Sequence, residues 1–553
     1  MSRVLLVGAA LMLLAAPVMP NENGSEAPVR CGTRWLQQQR AAGRFPLPDV
    51  PPSGVAKLGQ DTTAIQVGTE LQFPAAGMVS TVTATCQHVG EHAYIFVENR
   101  HWDTNGGSIL QSHVDVLGDL FDHSTPADPE RGVYDIETEV FGDPADVDGD
   151  PRIYILVHEI KFGTGVVGLF DAAVARHAVP EFRRDILFID ERFLRRSNYL
   201  TLGTLAHEFQ HLIHWRWDED EDTWVDEGLS GYAEELVGFP EADPNAVPEF
   251  LKRPDTSLTE WGVANEARQY GVTYLFMSFL AQRYGNELIR EIVAQPRNGI
   301  EGLDAALEAR SIPDRFGAAW ETWAAGSYAS QDERYMYGAL DGRRVKTFDV
   351  EPEQLPLANA PGFVGRWGMA NVLFRTPGDL LINFDGDDVG RYRVWTYSMG
   401  PMGASLRPID IDAENRGVAQ LTGIDSAVVI VTRTSQQGQN FQLSARRFTP
   451  TAVMSEAEAT PAATVLAPAF PNPFNSSVRI PYVVATAGDV DLVIYDMLGQ
   501  RIRFLARGNH DPGRYEVAWD GLDATGRTKA SGTYLARLKV GGDVHVTTLS
   551  LIR

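Results

Sequence analysis

Two histidines and a glutamate near the middle of the chain have the types and spacing of a hydrolytic metal site. His207 and His211 lie four residues apart in the stretch 201–212, whose apolar pattern predicts a helix. On a helix, residues with this spacing share one face, so both imidazoles can reach the same cation. Glu208 is rotated by about 100° from His207 and lies beside that face. Two imidazole ligands and a neighbouring carboxylate base suit zinc-assisted hydrolysis, and the alternative is two hydrogen-bonded histidines on a buried helix.

A catalytic zinc site needs a third protein ligand and one open position. The segment 224–232 reads Trp-Val-Asp-Glu-Gly-Leu-Ser-Gly-Tyr and begins a second predicted helix. It resembles the gluzincin metallopeptidases, in which the Glu of a Trp-x-x-Glu-Gly segment is the third ligand, and this resemblance implies Glu227. His214 is a rival ligand. However, His214 extends the histidines into a row about 10 Å long on one helix, and such a row does not easily wrap a tetrahedral ion.

Three segments together resemble the hyicolysin-like bacterial metallopeptidases. They are Asp-Val-Asp-Gly-Asp-Pro-Arg-Ile-Tyr-Ile at 146–155, Gly-Thr-Leu-Ala-His-Glu-Phe-Gln-His-Leu-Ile-His-Trp at 203–215 and Thr-Trp-Val-Asp-Glu-Gly-Leu-Ser at 223–230. The resemblance implies an α+β, zincin-like peptidase domain with a mixed sheet and a helical lobe. It also implies that zinc activates a water molecule and that Glu208 accepts the water's proton as general base.

A hydrogen-bond donor to the oxyanion is also expected from the gluzincin resemblance. In these enzymes a Tyr or His beyond the third ligand has that role. Tyr270 is the candidate, with Tyr232 and Tyr274 behind it.

The composition is that of a globular protein, with 44% hydrophobic and 22% charged residues. A formal net charge of -25 argues against nucleic acid or an anionic membrane surface as a partner. Residues 1–20 carry one Arg and then an apolar run, which is typical of a secretory signal peptide. No other apolar run is long enough to span a membrane. We therefore expect an exported mature protein without a transmembrane anchor, located outside the cell or at its surface.

The chain contains two cysteines, Cys31 and Cys86. In an exported protein, two cysteines outside any metal-binding or redox spacing predict one disulfide. Two separate thiols are the alternative.

Changes in pattern along the chain predict six segments. Short strands separated by Gly, Asp and Asn turns follow the helical region, and a stretch rich in Ala, Thr, Glu and Pro precedes the last all-β unit. The predicted segments are a signal peptide (1–20), an N-terminal arm (21–60), a zinc metallopeptidase domain (61–344), a β-sandwich-like module (345–450), a linker (451–469) and an Ig-like domain (470–553).

Alternating aspartates before a predicted strand offer a second metal site. Asp146, Asp148 and Asp150 surround a Gly turn and can present several oxygens to Ca²⁺. An Asp-rich turn without an ion is equally compatible with the pattern, because no closing Glu stands at the distance found in EF-hands.

The last segment, 470–553, carries Phe-Pro-Asn-Pro-Phe-Asn at 470–475, Tyr-Asp-Met-Leu-Gly at 495–499 and Gly-Thr-Tyr-Leu-Ala-Arg at 532–537. It resembles the Ig-like domain shared by type IX secretion sorting signals and flagellar hook-capping proteins. The resemblance implies export through outer-membrane secretion machinery.

Two functions follow from these patterns. The first is a secreted zinc endopeptidase that acts on protein or peptide substrates. The second is a cell-surface binding or adhesion protein with a structural metal, which a site closed by four protein ligands would favour, above all with His214 as a ligand. A serine hydrolase has little support, because the chain contains no Gly-x-Ser-x-Gly motif.

Overall fold

A computed structural model describes residues 31–43, 65–76, 81–161, 165–177, 183–196, 199–262, 266–329, 340, 343–401, 403–448, 463–467, 469, 472–475, 477–523 and 527–552. The chain divides into two compact units, residues 1–447 and 448–553. The predicted signal peptide and most of the predicted linker lie outside the described residues. Among the described residues, no helix is long and apolar enough to cross a membrane.

A six-stranded mixed sheet forms the first layer of the first unit, in the order β1-β2-β3-β4-β6-β5. Its central strands β3, β4 and β6 are parallel to one another and buried along their whole length, as their continuous apolar runs predict. Strand β5 pairs antiparallel with β6 and forms one edge of the sheet. The strands are β1 (Glu70–Pro74), β2 (Thr81–Val89), β3 (Ala93–Glu98), β4 (Ile153–His158), β5 (Gly168–Phe170) and β6 (Ile186–Asp190).

Helices surround this sheet and build a lobe beside it. One of the long helices, α6, packs on β5 and β6, and α7 packs between α6 and α9. The helices are α1 (Thr33–Ala41), α2 (Gln111–Asp122), α3 (Val133–Phe141), α4 (Ala172–Ala175), α5 (Glu191–Leu194), α6 (Tyr199–Trp217), α7 (Thr223–Leu236), α8 (Ala246–Lys252), α9 (Glu266–Tyr284), α10 (Asn286–Val293), α11 (Gly299–Ala309) and α12 (Phe316–Tyr328).

Two further sheets follow, in the orders β13-β10-β15-β8 and β12-β11-β14-β9-β7. Their strands pair antiparallel, except that β7 pairs parallel with β9. The Phe316 ring of α12 meets the Trp367 ring edge-on at 4.7 Å, so the sheets share a hydrophobic core with the helical lobe. The boundary predicted at residue 345 thus separates two kinds of structure within one compact unit. The strands are β7 (Phe348–Val350), β8 (Leu357–Phe363), β9 (Ala370–Phe374), β10 (Gly378–Gly386), β11 (Tyr392–Gly400), β12 (Gly403–Pro408), β13 (Arg416–Ile424), β14 (Ser426–Arg433) and β15 (Asn440–Arg447).

The second unit is all-β in its described residues. A three-stranded and a four-stranded antiparallel sheet enclose a core around the fully buried Trp519. Its first strand falls inside the predicted linker. The strands are β16 (Val465–Leu466), β17 (Val478–Val484), β18 (Gly488–Asp496), β19 (Arg501–His510), β20 (Gly513–Trp519), β21 (Gly532–Val540) and β22 (Asp543–Leu551).

The structure does not contain the predicted disulfide. Cys31 and Cys86 are both buried free thiols. Cys86 lies within β2, where its Sγ contacts the carbonyl oxygen of His88 at 3.2 Å. Cys31 pairs by a backbone bridge with Gly168 on the edge strand β5. Cys86, on the second strand from the opposite edge, is therefore separated from Cys31 by several strands, and counting cysteines could not reveal this.

Candidate metal centre

Helix α6 carries the two histidines and the glutamate into the interior. It is buried over most of its length, because β5 and β6 cover one side and α7 covers another. His207 and Glu208 are fully buried, and His211 is 2% exposed. The two imidazole rings lie 4.9 Å apart at an angle of 79°, as the four-residue spacing predicts.

Four ligand-type atoms converge at this point. Single side-chain atoms of Cys31, His207, His211 and Glu227 all lie within 4.8 Å of one another. Glu227 Oε2 is 3.2 Å from His207 Nε2 and 3.6 Å from His211 Nε2. The Cys31 Sγ atom is 3.5 Å from His211 Nε2. The N-terminal part of α7 thus brings Glu227 to the histidines.

Two carboxylates behind the cluster orient the imidazoles. His207 Nδ1 lies 2.7 Å from Glu234 Oε1, and His211 Nδ1 lies 3.0 Å from Asp226 Oδ2. A neutral imidazole that donates its Nδ1–H to a carboxylate keeps a free lone pair on Nε2. Both Nε2 atoms face the cluster, so both rings are oriented as metal ligands.

Three separations within the cluster are close to those expected around a tetrahedral zinc ion. At the usual Zn–N, Zn–O and Zn–S bond lengths, ligand atoms at tetrahedral corners lie roughly 3.3–3.6 Å apart. The three separations are 3.2, 3.6 and 3.5 Å, and the other pairs of ligand atoms lie within 4.8 Å of one another. Imidazole, carboxylate and thiolate are also a donor set that suits zinc.

The charge of Glu227 matches this role. Burial alone would raise the pKa of the Glu227 carboxyl, but hydrogen bonds with His207 and His211 outweigh it and lower the pKa to about 2. Glu227 is therefore an anion at neutral pH and can neutralise part of a cation's charge.

Glu208 lies beside the cluster rather than in it. Thr33 Oγ1 donates a hydrogen bond of 2.9 Å to Glu208 Oε2, and the Cys31 thiol lies 3.7 Å from the same oxygen. Glu208 Oε1 has no hydrogen-bond partner within the described part of the chain. Burial raises the pKa of Glu208 to about 7, although His211 and Thr33 act in the opposite direction. A carboxylate with this pKa is suited to accept and return a proton near neutral pH.

A close approach of β5 to α6 positions the base. A Cβ atom on Gly168 would lie 2.8 Å from Thr204 Cγ2 and 3.3 Å from Glu208 Cγ. Only a glycine lets the edge strand pack this closely on the helix.

The three candidate tyrosines separate clearly. The Tyr270 ring lies 6.3 Å from the His207 ring and packs with Cys31 in one small apolar cluster. Tyr232 instead donates a hydrogen bond of 2.8 Å to Asn286 Oδ1, and Tyr274 lies against Glu235. Of the three tyrosines, only Tyr270 lies beside the cluster of ligand-type side chains.

The rival ligand His214 does not reach the cluster. His214 Nδ1 lies 2.9 Å from Asp226 Oδ1, so it shares with His211 the carboxylate behind the site. Burial and the two imidazoles pull the Asp226 pKa in opposite directions, and the imidazoles prevail, so that the pKa falls below its usual range.

The predicted calcium residues only partly converge. Asp146 and Asp148 lie together with Asp185, which precedes β6, while Asp150 accepts a hydrogen bond of 2.8 Å from the Tyr94 hydroxyl. Burial raises the pKa of Asp185 to about 7, and its Oδ1 has no hydrogen-bond partner in the described ranges. Sequence pattern missed Asp185 because it is 35 or more residues away from the other two.

Cys31, Glu234, Asp226 and Thr33 were not predicted as site residues. Glu234 stands seven residues after Glu227, two helical turns further along the same face of α7, and this spacing was the available signal. Cys31 and Thr33 gave no such signal, because they reach the site through the tertiary fold.

A metalloprotease is among the proteins to which this chain is similar. The neutral metalloprotease ShpI of Staphylococcus hyicus is 22% identical to this chain over 281 residues, which cover 46% of this chain and 62% of the relative. This chain is a distant relative of a neutral metalloprotease. The match spans about 62% of that relative's length. The relative's name marks it as a metalloprotease, and Cys31, His207, His211 and Glu227 form a group that could hold a metal ion.

The second unit has its own match. The family model of the FlgD Ig-like domain matches residues 476–543, which confirms the Ig-like resemblance seen in the sequence.

Two solved structures are similar to parts of the chain. They are the pre-peptidase C-terminal domain of a collagenase from Bacillus anthracis (8% identity, 18% of this chain and 95% of that chain, TM-score 0.16) and PorZ, a surface component of the type-IX secretion system of Porphyromonas gingivalis (19% identity, 22% and 15%, TM-score 0.13). TM-scores this low carry no conclusion about fold or function.

Proposed function

We propose that this protein is a secreted zinc-dependent endopeptidase. His207, His211 and Glu227 would hold the zinc ion, which would supply Lewis-acid chemistry at the site. Glu208 accepts the proton of the attacking water and returns it to the leaving amine. Tyr270 donates a hydrogen bond to the oxyanion that develops on the substrate.

One observation carries this proposal: Glu208 is a fully buried carboxylate with an oxygen that lacks a partner among the described residues. Burying an unpaired carboxylate oxygen is costly, and a structural metal site gains nothing from it. A general base needs such an oxygen, because that oxygen receives the proton.

The alternative is a surface binding protein with a structural zinc. The four-residue cluster with Cys31 favours it, since structural sites are closed by four protein ligands. From the sequence, His214 as a ligand would favour this alternative most. His214 does not support it, because its imidazole lies against Asp226. The two functions differ in whether hydrolysis depends on Glu208.

The test is proteolysis of an unfolded protein substrate by the purified full chain, with zinc content measured in parallel. We expect Glu208→Gln to retain stoichiometric zinc and to lose cleavage, and a chelator to abolish cleavage in the wild type. Because Glu208 is not among the clustered ligand residues, this substitution separates loss of the base from loss of the metal. Cleavage that survives chelation or Glu208→Gln would refute the proposal.

Export is proposed from the sequence. The signal peptide of residues 1–20 would direct the chain across the inner membrane, and the Ig-like domain would engage outer-membrane secretion machinery. Deletion of residues 470–553 is expected to retain the protein between the inner and the outer membrane. Normal release of the truncated protein would contradict this route.

A further inference from the structure

The short segment Cys31–Thr33 lies across the metal centre. Cys31 pairs by a parallel backbone bridge with Gly168 on the edge strand β5, and the Gly32 amide donates a hydrogen bond of 2.9 Å to the Gly168 carbonyl. The Phe170 amide donates a hydrogen bond of 2.8 Å to Thr33 Oγ1. The segment therefore lies along the edge of the sheet as an added strand would.

This edge is where an extended substrate could bind. A free strand edge beside a catalytic centre offers its backbone groups to a peptide in an extended conformation. Strand β5 is the edge strand that packs on the metal-binding helix α6. With Cys31–Thr33 in place, the Gly168 carbonyl and the Phe170 amide already form hydrogen bonds with this segment and are not available to a substrate.

The same segment reaches both the ligands and the base. Cys31 Sγ lies 3.5 Å from His211 Nε2 and within 4.8 Å of the ligand atoms of His207 and Glu227. The Thr33 hydroxyl occupies Glu208 Oε2 at 2.9 Å. A thiolate in the fourth position would exclude the water that hydrolysis needs, and the Thr33 hydroxyl fixes the other oxygen of the base.

Helix α1 anchors this segment to the first unit. Leu36 is fully buried, and Arg40 forms an ion pair with the buried Asp171, which follows β5. On the other side, the Arg34 guanidinium lies 5.1 Å from the centre of the Trp261 ring. A Cβ atom on Gly32 would lie 2.8 Å from Val166 Cγ1, so the residue after Cys31 fits only without a side chain.

We propose that Cys31 is the fourth metal ligand and that the segment Cys31–Thr33 closes the site to water and substrate until it is displaced. On binding, the Cys31 thiol transfers its proton to solvent as the metal–sulfur bond forms. Displacement breaks that bond, and the thiolate takes up a proton again. The consequence for activity rests on the proposed peptidase function, whereas the ligand assignment does not.

The ligand assignment is tested with Co²⁺ in place of zinc in the full chain. A cobalt–thiolate bond gives a near-ultraviolet charge-transfer band that nitrogen and oxygen ligands do not give. We expect the band in the wild type and in Cys86→Ala, and its loss in Cys31→Ala with cobalt still bound. A wild type that binds cobalt without the band, or a band that persists in Cys31→Ala, would overturn the proposal.

Thiol reactivity gives a second readout that does not depend on the folding of a variant. Zinc should slow the alkylation of Cys31 in the wild type and leave that of Cys86, the internal control, unchanged. Equal alkylation rates of Cys31 with and without zinc would overturn the assignment.

The closure is tested by peptide cleavage. A segment that is docked nine-tenths of the time leaves about one-tenth of the sites open, so Cys31→Ala should cleave at least about tenfold faster than the wild type. Arg40→Ala should accelerate cleavage too, while Gln38→Ala, an exposed position on the same helix, should not.

These outcomes separate the two proposals. An unchanged rate in Cys31→Ala, in a chain whose wild type is active, would overturn closure. If the band depends on Cys31 but every variant is inactive, then Cys31 is a ligand of a closed structural site and the peptidase function fails.

Discussion

The Nδ1 atom of His207 lies 2.7 Å from Glu234 Oε1, and both side chains are buried where helices α6 and α7 pack together. The carboxylate holds the ring so that Nε2 faces Glu227 Oε2 at 3.2 Å. Glu234 is therefore placed to act, through the imidazole, on a metal ion that His207 would bind.

Replacement of Glu234 by Gln should weaken zinc binding by about 10–100-fold, the range that is usual for partners of ligating histidines. The Gln side-chain oxygen still accepts a hydrogen bond from Nδ1–H, but it lacks the negative charge that makes the imidazole a stronger electron donor to the metal ion. Competition with a chromophoric chelator measures the change. Glu235→Gln is the control, because Glu235 contacts Tyr274 instead. Equal losses in both variants would contradict the positioning role.

The third ligand is tested by comparing Glu227→Gln with His214→Asn. Glu227 Oε2 lies beside both Nε2 atoms, whereas His214 contacts only the Asp226 carboxylate behind the site. Glu227→Gln should therefore reduce zinc affinity by more than the roughly 100-fold limit of indirect effects, and His214→Asn should stay within that limit. The measurement is zinc content after dialysis against graded chelator. The reverse order of the two effects would make His214 the ligand.

The role of Tyr270 is tested by Tyr270→Phe in a Cys31→Ala background, where the site is open. Loss of one oxyanion donor should lower kcat by about 10²–10³-fold. Zinc content should be unchanged. Tyr232→Phe and Tyr274→Phe serve as controls, because their hydroxyls face Asn286 and Glu235. A kcat for Tyr270→Phe equal to that of the controls would remove Tyr270 from the mechanism.

Part of the candidate site could be predicted because two of its residues follow helical periodicity. His207 and His211 are one turn apart, so local spacing was informative for them, whereas Glu227, near the N-terminal end of the next helix, was implied by the resemblance to gluzincin metallopeptidases. The helices, the buried strands of the first sheet and the strands of the C-terminal unit follow from apolar patterns of the same local kind.

Contacts between residues distant in sequence could not be predicted. Cys31 and His211 are 180 residues apart, and their contact depends on α1 docking beside β5. The predicted disulfide was wrong for this reason, since the number of cysteines does not reveal beside which strand of the sheet each one lies. The calcium prediction likewise included Asp150 and missed Asp185, because only the fold brings Asp185 to the aspartate turn.

Calcium binding is proposed at Asp146, Asp148 and Asp185. Three neighbouring carboxylates repel one another, and a divalent cation would relieve that repulsion. Calcium should therefore raise the thermal unfolding temperature of the wild type and leave that of Asp185→Asn unchanged. Asp150→Asn is the control, because its carboxylate lies against Tyr94 and should not be needed for binding. A calcium effect of equal size in Asp185→Asn would exclude this site.

Glu137 on α3 is fully buried, and neither carboxylate oxygen has a hydrogen-bond partner in the described part of the chain. Burial raises the pKa of Glu137 well above its usual value, although nearby His211 opposes the shift. The folded protein therefore keeps this proton at a pH where the unfolded chain, with a pKa near 4.5, has lost it. The free energy of unfolding falls by about 1.4 kcal/mol per pH unit from that value up to the raised pKa.

Glu137→Gln removes this titration. The comparison uses metal-free protein, in which release of zinc cannot contribute. As the pH rises from about 5 to about 8, roughly the range in which proteins are usually most stable, the variant should lose less thermal stability than the wild type. The difference in stability between Glu137→Gln and the wild type should be largest at the highest pH. It should be small below the pKa that Glu137 has in the unfolded chain. Glu139→Gln, an exposed position on the same helix, should follow the wild-type profile. Parallel profiles for Glu137→Gln and the wild type would show that Glu137 is not a buried neutral acid.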